Sequence, residues 1–285
     1  TLFPYTTLFR SDKYYGTKND LRAFVDECHS QGMAVIIDLV LNHSFGQSPF
    51  YLLYKDADGK PSADNPWYNQ ESNIKNTSLS WGYDFNHESE YTRALVDSVA
   101  GFWMSEYKID GFRYDFTKGF SNTPYGENDW ANGPDNARIA NLKRMSAAVQ
   151  KRQPGAYVIF EHLAATSEER QLGDAGILLW CNKNETYCET AMGWSGSKTD
   201  FSGLYAGTSM PAGSLVGYME SHDEERTGFK AWKWGNTGVI ASTTSTNTGM
   251  SPATGSNINL STRTKRLATN AAFFLTVPGP KMIWQ

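Results

Sequence analysis

The sequence predicts an α/β fold in which parallel strands alternate with helices. Three observations support this class: strand-like and helix-like segments alternate along the chain, the most apolar run is continuous, and polar residues follow several predicted strands. A continuous apolar run is typical of a strand covered on both faces, as parallel strands usually are. The 285 residues are enough for one large domain with a substantial core.

The elements follow in order from these patterns. Asn19 is the expected cap of a first helix that stops at Gly32. The run from Ala34 to Leu41 predicts a strand buried on both faces, and residues 44–87, rich in Pro, Gly, Asn, Asp and Ser, predict an inserted loop or small subdomain. Helices are then predicted at 88–107, 135–152 and around 267–274, and strands at 109–115, 157–161, 177–180, 214–219 and 281–284. This alternation fits a doubly wound sheet and a barrel equally well.

Composition excludes some classes of partner. A net charge of −4 gives no reason to expect nucleic acid or an anionic membrane, and no apolar run approaches the roughly 18 residues of a membrane span. The aromatic content of 14% suits stacking on sugars, although composition alone favours ordinary core packing. Three cysteines without metal-type spacing argue against a disulfide framework, leaving open one bond between Cys181 and Cys188; the third is Cys28.

Polar side chains recur where the predicted strands end. They are Asp38, Asn42 and His43 after the first strand, Arg113 and Asp115 after the second, Glu161 after the third, and His222 and Asp223 after a later one. A single acid at a strand end is usually a cap or a loop residue. Four strand ends carrying acids and histidines are expected to converge at one mouth if the strands form a barrel.

The ordered motifs carry a specific resemblance. The segments 38–43 (DLVLNH), 111–115 (GFRYD) and 218–223 (YMESHD), with Glu161 between the last two, resemble the four conserved regions of the α-amylase family. The likeness runs from about Asp12 to the end of the chain. It implies a (β/α)8 TIM barrel, in which the motifs lie on the third, fourth, fifth and seventh barrel strands. Trp180 would lie near the sixth strand, and residues 279–284 would form the eighth.

The first and second barrel strands are absent from this assignment. Residues 1–11 resemble the direct translation of a common sequencing-library adapter, so we exclude them from the fold and expect residues 12–285 to form a partial catalytic barrel with the insertion at about 44–87. Both ends are expected to be truncations. The chain alone is therefore expected to fold poorly, to be inactive and to show a poorly packed seam beside the strand at Ala34.

The resemblance implies a retaining mechanism and assigns its residues. Asp115 is the expected nucleophile, and Glu161 is the expected general acid and then base. Asp223 is expected to bind sugar hydroxyls more strongly in the transition state. Arg113, on the same face of its strand as Asp115, is expected to orient that carboxylate. His43 and His222 are the expected substrate-binding histidines.

The resemblance also raises the question of a metal. The chemistry requires no cofactor, but Asn42 corresponds to a calcium ligand in many relatives, where oxygens from the long loop and a backbone carbonyl near Lys118 assist it. Loop acids that could contribute are Asp56, Asp58, Asp64 and Asp84, although capping of turns is at least as good an explanation for them. Three residues depart from the usual family pattern: Gly119, His162 and Ser221.

Three functions remain open at this stage. The first is a retaining hydrolase acting on α-1,4-glucans such as starch, glycogen and maltooligosaccharides. The second is an α-1,4-glucan branching enzyme or another glucanotransferase, which differs only in whether water or a sugar hydroxyl accepts the glycosyl group. The third is a non-catalytic glucan-binding relative, which the presence of all three carboxylates disfavours. Substrate class alone favours an extracellular or periplasmic location.

Overall fold

The computed structural model describes residues 13–194, 196–204, 209–236 and 260–284. These residues divide into two compact units, one that ends at Leu179 and one that begins at Trp180. The adapter-like segment 1–11 lies outside the described residues, so its assignment stays a prediction.

The first unit contains most of the elements. Its helices are α1 (Lys18–Ser30), α2 (Pro49–Leu52), α3 (Glu90–Tyr107), α4 (Asn136–Arg152) and α5 (Thr166–Gly173). Its strands are β1 (Ile36–Leu39), β2 (His43–Ser44), β3 (Tyr83–Asp84), β4 (Gly111–Tyr114), β5 (Tyr157–Phe160) and the start of β6 (Leu178–Asn182). The second unit contains the rest of β6, helices α6 (Asn184–Met192), α7 (Thr227–Trp234) and α8 (Leu260–Thr276), and strands β7 (Leu215–Tyr218) and β8 (Lys281–Met282).

The central strands of the first unit are parallel and in register. β1 pairs with β4, β4 with β5, and β5 with the first two residues of β6. Asp38 lies opposite Arg113, and Arg113 lies opposite Ile159. The predicted parallel arrangement is confirmed. Because parallel strands point the same way, the residues that follow β1, β4 and β5 meet at one edge of the sheet.

The strand expected from Ala34 to Leu41 is not buried on both faces, and its exposure agrees with the seam expected beside it. β1 covers only Ile36–Leu39, and Ile36 and Val40 are 38% and 47% exposed. β1 pairs with β4 on one side, and within the described residues no strand covers its other edge. An apolar sequence shows that a strand is able to be buried, but neighbouring elements decide whether it is.

Two helix details also differ from the sequence-based expectation. The first helix is capped by Thr17, not Asn19, because Thr17 and Asp20 exchange hydrogen bonds in a capping box. A helix at 88–107 that buried its large apolar side chains would bury Tyr91, which is instead 55% exposed. That helix instead packs Val99, Trp103 and other residues inward, against α1 and α4.

The insertion at 44–87 has a core of its own. β2 and β3 form an antiparallel pair, with His43 opposite Asp84. Tyr51, Tyr68 and Phe85 are buried together beneath it. The ring of Tyr68 stacks on that of Phe85 with centroids 4.4 Å apart. The insertion therefore holds His43 on a packed support.

The second unit contains its own parallel pair and core. Gly217 of β7 lies opposite Lys281 of β8. A cluster of buried apolar residues stabilises the unit: Tyr187, Leu204, Phe274 and Val277. All three cysteines are free thiols, so the bond left open between Cys181 and Cys188 is not formed. No helix in the described part of the chain has the length and apolar character that crossing a membrane requires.

Candidate active site

A buried arginine joins three carboxylates at the edge where β1, β4 and β5 end. Arg113 Nη1 donates to Asp38 Oδ1 at 2.7 Å and to Asp115 Oδ1 at 2.8 Å, and Nη2 donates to Glu161 Oε2. The Arg113 side chain is nearly fully buried, whereas Asp38 is half exposed. We call these four residues the Arg113 cluster. It brings together the predicted residues Arg113, Asp115 and Glu161, and it adds Asp38.

The strands themselves place these side chains. The backbone N–H of Asp115 donates to the carbonyl oxygen of Leu39 at 3.0 Å, and that of Glu161 donates to Tyr114 at 3.0 Å. These bonds continue the parallel ladder one residue beyond each strand. Both acids are consequently fixed by the sheet and not by a free loop, which favours a precise geometry.

Burial and neighbouring charges shift the pKa of the Glu161 carboxyl. Burial is the main cause that raises the pKa of its carboxyl, to about 7, and the negative charge of Asp115 acts in the same direction. Arg113 and the backbone N–H of Phe116, which donates to Glu161 Oε2 at 3.2 Å, oppose the rise. A carboxyl with this pKa is still substantially protonated near neutral pH, so Glu161 can donate a proton there.

His43 lies beside the cluster and is oriented by Asn42. The side-chain amide of Asn42 contacts His43 Nδ1 at 3.2 Å. Burial lowers the pKa of His43, although the charge of Asp115 opposes this shift. His43 is therefore a neutral hydrogen-bonding group at neutral pH, in keeping with a role in holding a polar substrate.

An aromatic rim surrounds His43. Its ring lies 5.3 Å from that of Phe45 and 5.9 Å from that of Trp81, measured between centroids. Trp81 in turn contacts Phe116, the residue after Asp115, edge to face at 5.0 Å. Trp81 is 41% exposed and Phe45 63% exposed, so both present ring surface to solvent. The sequence indicated aromatic richness but not which rings would lie here.

His222 and Asp223 lie in the second unit, after β7. His222 Nε2 is 3.4 Å from Asp223 Oδ1, and the centroid of the His222 ring is 6.3 Å from that of Trp180 and 5.7 Å from that of Trp284. Both His222 and Asp223 are largely exposed. They form a polar pair with aromatic neighbours, which is a composition suited to a sugar.

The three departures from the family pattern have structural roles. Ser221 is fully buried, and its hydroxyl contacts Glu224 and accepts from the N–H of Asp223 at 3.2 Å, which orders the turn that carries Asp223. His162 is buried and contacts Glu168 at 2.9 Å. Gly119 lies against Asn42, because a Cβ at position 119 would be 1.8 Å from Asn42 Oδ1.

The oxygens named for calcium differ in whether they already have hydrogen-bond partners. Asn42 Oδ1 is buried without a hydrogen-bond partner, as a metal ligand would be. The carbonyl of Lys118, however, accepts from Arg138, and Asp84 accepts from Asn69 and Asn73. Of the remaining acids, Asp56 holds a turn, and Asp58 and Asp64 are exposed. Within residues 13–194, 196–204, 209–236 and 260–284, no three His, Cys, Asp or Glu side chains are arranged so that they could hold a metal ion. Metal ligation by Asn42 stays a prediction.

Comparison with known proteins agrees with this geometry. Residues 5–81 match the family model described as "Alpha amylase, catalytic domain". The curated relatives include the 1,4-alpha-glucan branching enzyme GlgB of Dechloromonas aromatica, 28% identical over 220 residues, and that of Aliivibrio fischeri, 29% identical over 171 residues. The chain is similar to the α-amylase family in sequence. The first match covers 70% of this chain and the second 55%, but the chain spans only 34% and 22% of those relatives.

Solved structures establish the fold. The α-amylase of Geobacillus thermoleovorans matches with a TM-score of 0.65 at 16% identity, over 97% of this chain and 54% of that one. The type III pullulan hydrolase of Thermococcus kodakarensis matches with a TM-score of 0.62 at 18% identity, over 98% and 45%. The expectation of strands and helices from a (β/α)8 barrel, and not a doubly wound sheet, is confirmed.

The contact between Gly119 and Asn42 gives the first testable prediction. Gly119→Ala should lower the free energy of unfolding of the full-length protein by about 1–3 kcal/mol, because the new methyl group must displace the Asn42 amide. Denaturant titration measures this cost. The matched control is Gly126→Ala, where a Cβ would meet nothing within 4 Å. An equal cost at both positions, or a cost at 119 that persists in an Asn42→Ala background, would contradict the contact.

Proposed function

We propose that the protein containing this chain is a retaining glycosidase that acts on α-1,4-linked glucans. The observation that carries the proposal is the Arg113 cluster, in which one guanidinium contacts both Asp115 and Glu161 at the edge where parallel strands end. Retaining glycosidases need two carboxylates close together, one as nucleophile and one as acid. The pKa of Glu161, raised to about 7, supports the second role.

The proposed reaction has two balanced steps. Asp115 attacks the anomeric carbon and forms a glycosyl ester while Glu161 gives its proton to the departing glycosidic oxygen. Water then attacks the anomeric carbon, gives a proton to Glu161 and releases Asp115 as a carboxylate. Arg113 orients Asp115 throughout, and His43 donates a hydrogen bond to the sugar. The family motif also assigns substrate binding to His222. Asp223 binds sugar hydroxyls, a role carried over from the family motif at positions 218–223.

A glucanotransferase is the second candidate, and the sequence relatives favour it. The curated relatives named above are 1,4-alpha-glucan branching enzymes, whereas the solved structures include an α-amylase and a pullulan hydrolase. Transfer uses the same glycosyl-enzyme, with a sugar hydroxyl in place of water in the second step. The groups at Asp115 and Glu161 serve both reactions, so the products distinguish them.

The aromatic rim supports a sugar as the substrate. Trp81 and Phe45 expose ring faces beside His43, and pyranose rings have apolar faces that stack on such surfaces. A polymer with an overall neutral, hydroxyl-rich surface also suits a chain with a net charge of −4. We propose an α-glucan polysaccharide or oligosaccharide as the partner and no nucleic acid.

The products and the nucleophile test the proposal directly. Full-length protein incubated with amylose should release sugars whose first-formed reducing ends are α-anomers, as detected by NMR. Asp115→Asn should lower the rate by several orders of magnitude, because no glycosyl ester can form. Formation of new branch points without reducing ends would select the transferase. β-anomers as first products, or more than a tenth of the activity in Asp115→Asn, would refute a retaining mechanism through Asp115.

The raised pKa of Glu161 predicts the alkaline limb of the pH–rate profile. The protonated acid is the active form, so kcat/KM should fall as pH rises through about 7. Glu161→Gln should lose this limb when assayed on α-maltosyl fluoride, whose leaving group needs no proton. Azide should accelerate that variant and yield an α-glycosyl azide, whereas Asp115→Asn should show no such rescue. If the Glu161→Gln variant kept the alkaline limb of the pH–rate profile, the pKa of that limb would belong to another group.

The exposed ring of Trp81 gives a prediction about binding. Trp81→Ala should lower kcat/KM for maltooligosaccharides about fivefold, mostly through KM, because the stacking surface is lost. Trp81→Phe should retain most of the wild-type value. Tyr91→Ala, a comparably exposed aromatic on α3, is the control and should change neither constant. Equal effects of Trp81→Ala and Tyr91→Ala would remove Trp81 from the binding site.

A further inference from the structure

A second buried arginine holds the segment that follows the nucleophile. Arg138, on α4, is completely buried. Its Nε donates to Glu168 Oε1 at 2.7 Å and its Nη2 to Glu168 Oε2 at 2.8 Å, which is a bidentate ion pair between two fully buried side chains. This pair lies outside the Arg113 cluster, and no step of the proposed chemistry uses it.

The remaining N–H groups of Arg138 bind backbone carbonyls. Nη1 donates to Lys118 at 2.9 Å and to Ala131 at 3.1 Å, and Nη2 donates to Gly133 at 3.0 Å. Nη1 also lies 3.3 Å from the hydroxyl of Tyr125. One guanidinium thus gathers three carbonyl oxygens along the loop between β4 and α4. Several oxygens around one positive charge is the arrangement that a structural cation produces in a loop.

Glu168 stabilises the buried positive charge of Arg138 and extends the hydrogen-bond network around it. Besides Arg138, it accepts from the N–H of Asp135 at 2.8 Å and contacts His162 Nε2 at 2.9 Å. Burial opposes the charge of Glu168, but the hydrogen bonds from Arg138 and His162 lower its pKa to about 2. The pair is therefore ionised and fully hydrogen-bonded, which is the condition under which a buried ion pair is stable.

The network reaches the proposed acid through its backbone. His162 directly follows Glu161, and its Nδ1 lies 3.0 Å from Thr117 Oγ1. Thr117 Oγ1 lies 3.1 Å from the carbonyl oxygen of Glu161, and the Thr117 N–H donates to the same oxygen at 2.9 Å. Phe116, the preceding residue, has a left-handed backbone (φ 42°) and donates its N–H to the Glu161 carboxylate. A non-glycine residue keeps this left-handed backbone conformation only where the surrounding structure holds it.

We propose that Arg138, paired with Glu168, is a positioning residue that serves as the built-in structural cation of the β4–α4 loop. It supplies one positive charge around which the carbonyls of Lys118, Ala131 and Gly133 converge. Through Thr117 and His162 it fixes the Phe116 N–H against Glu161. The catalytic part of this proposal rests on the proposed function, whereas the structural part does not.

The structural part is tested on unmodified full-length protein. Addition of EDTA, or of calcium chloride after EDTA, should change the Tm by less than about 1 °C, because the loop already has its cation. Glu168→Gln should speed amide hydrogen exchange within residues 116–133. The control is Arg144→Lys. Arg144 lies on α4, like Arg138, but pairs with Asp97 of α3, so this change should not speed exchange there. A Tm that falls by several degrees with EDTA and returns with calcium would overturn the proposal, whatever the enzyme's activity.

The positioning role is tested by kinetics. Arg138→Lys keeps the charge but cannot bind Glu168 and three carbonyls together, so kcat should fall about ten- to a hundredfold with little change in KM. Loss of the Phe116 N–H from the Glu161 carboxylate should move the alkaline limb up by as much as about one pH unit. Arg144→Lys should leave kcat and the limb unchanged. An Arg138→Lys variant with faster loop exchange but wild-type kcat and pH profile would show that Arg138 only stabilises the fold.

Discussion

The ionic contacts of Arg113 are the interaction on which the site in the first unit depends. A buried guanidinium is costly unless charged partners surround it, and here it takes one carboxylate from the end of each of β1, β4 and β5. The parallel register brings those three strand ends to one edge. The same positive charge opposes the rise that burial and Asp115 cause in the pKa of Glu161, so that pKa reaches only about 7. Strand direction, ion pairing and acid strength are therefore linked through one side chain.

Two buried arginines make different contacts in the region around Glu161. Arg113 contacts its carboxylate, whereas Arg138 pairs with Glu168 and binds backbone carbonyls of the loop between β4 and α4. His162 and Thr117 connect the two layers. His162 replaces the usual family residue after the acid, and the network explains why an imidazole suits this position: both of its ring nitrogens have polar partners in a fully buried place.

Local signals predicted the regular elements well where they were strong. The helix at 135–152 was placed within a residue, because Asp135 caps it and its N–H groups are satisfied locally. The strands at 109–115 and 157–161 were also found, with ends that differ by one or two residues. The errors came where distant contacts decide the outcome. Thr17 caps α1 because Asp20 reciprocates, and Ile36 and Val40 are exposed because burial needs a neighbour on each side.

By itself, the sequence determined the resemblance to the α-amylase family and the candidate carboxylates, because the strand ends are visible as polar residues after apolar runs. It could not show that Asp38 joins the Arg113 cluster, that Trp81 lies beside His43, or that Arg138 binds the carbonyl of Lys118. These contacts join residues 20 to 75 positions apart in the chain. Hydrogen bonds and ring contacts act over a few ångströms, so only the folded chain decides which distant groups come within reach.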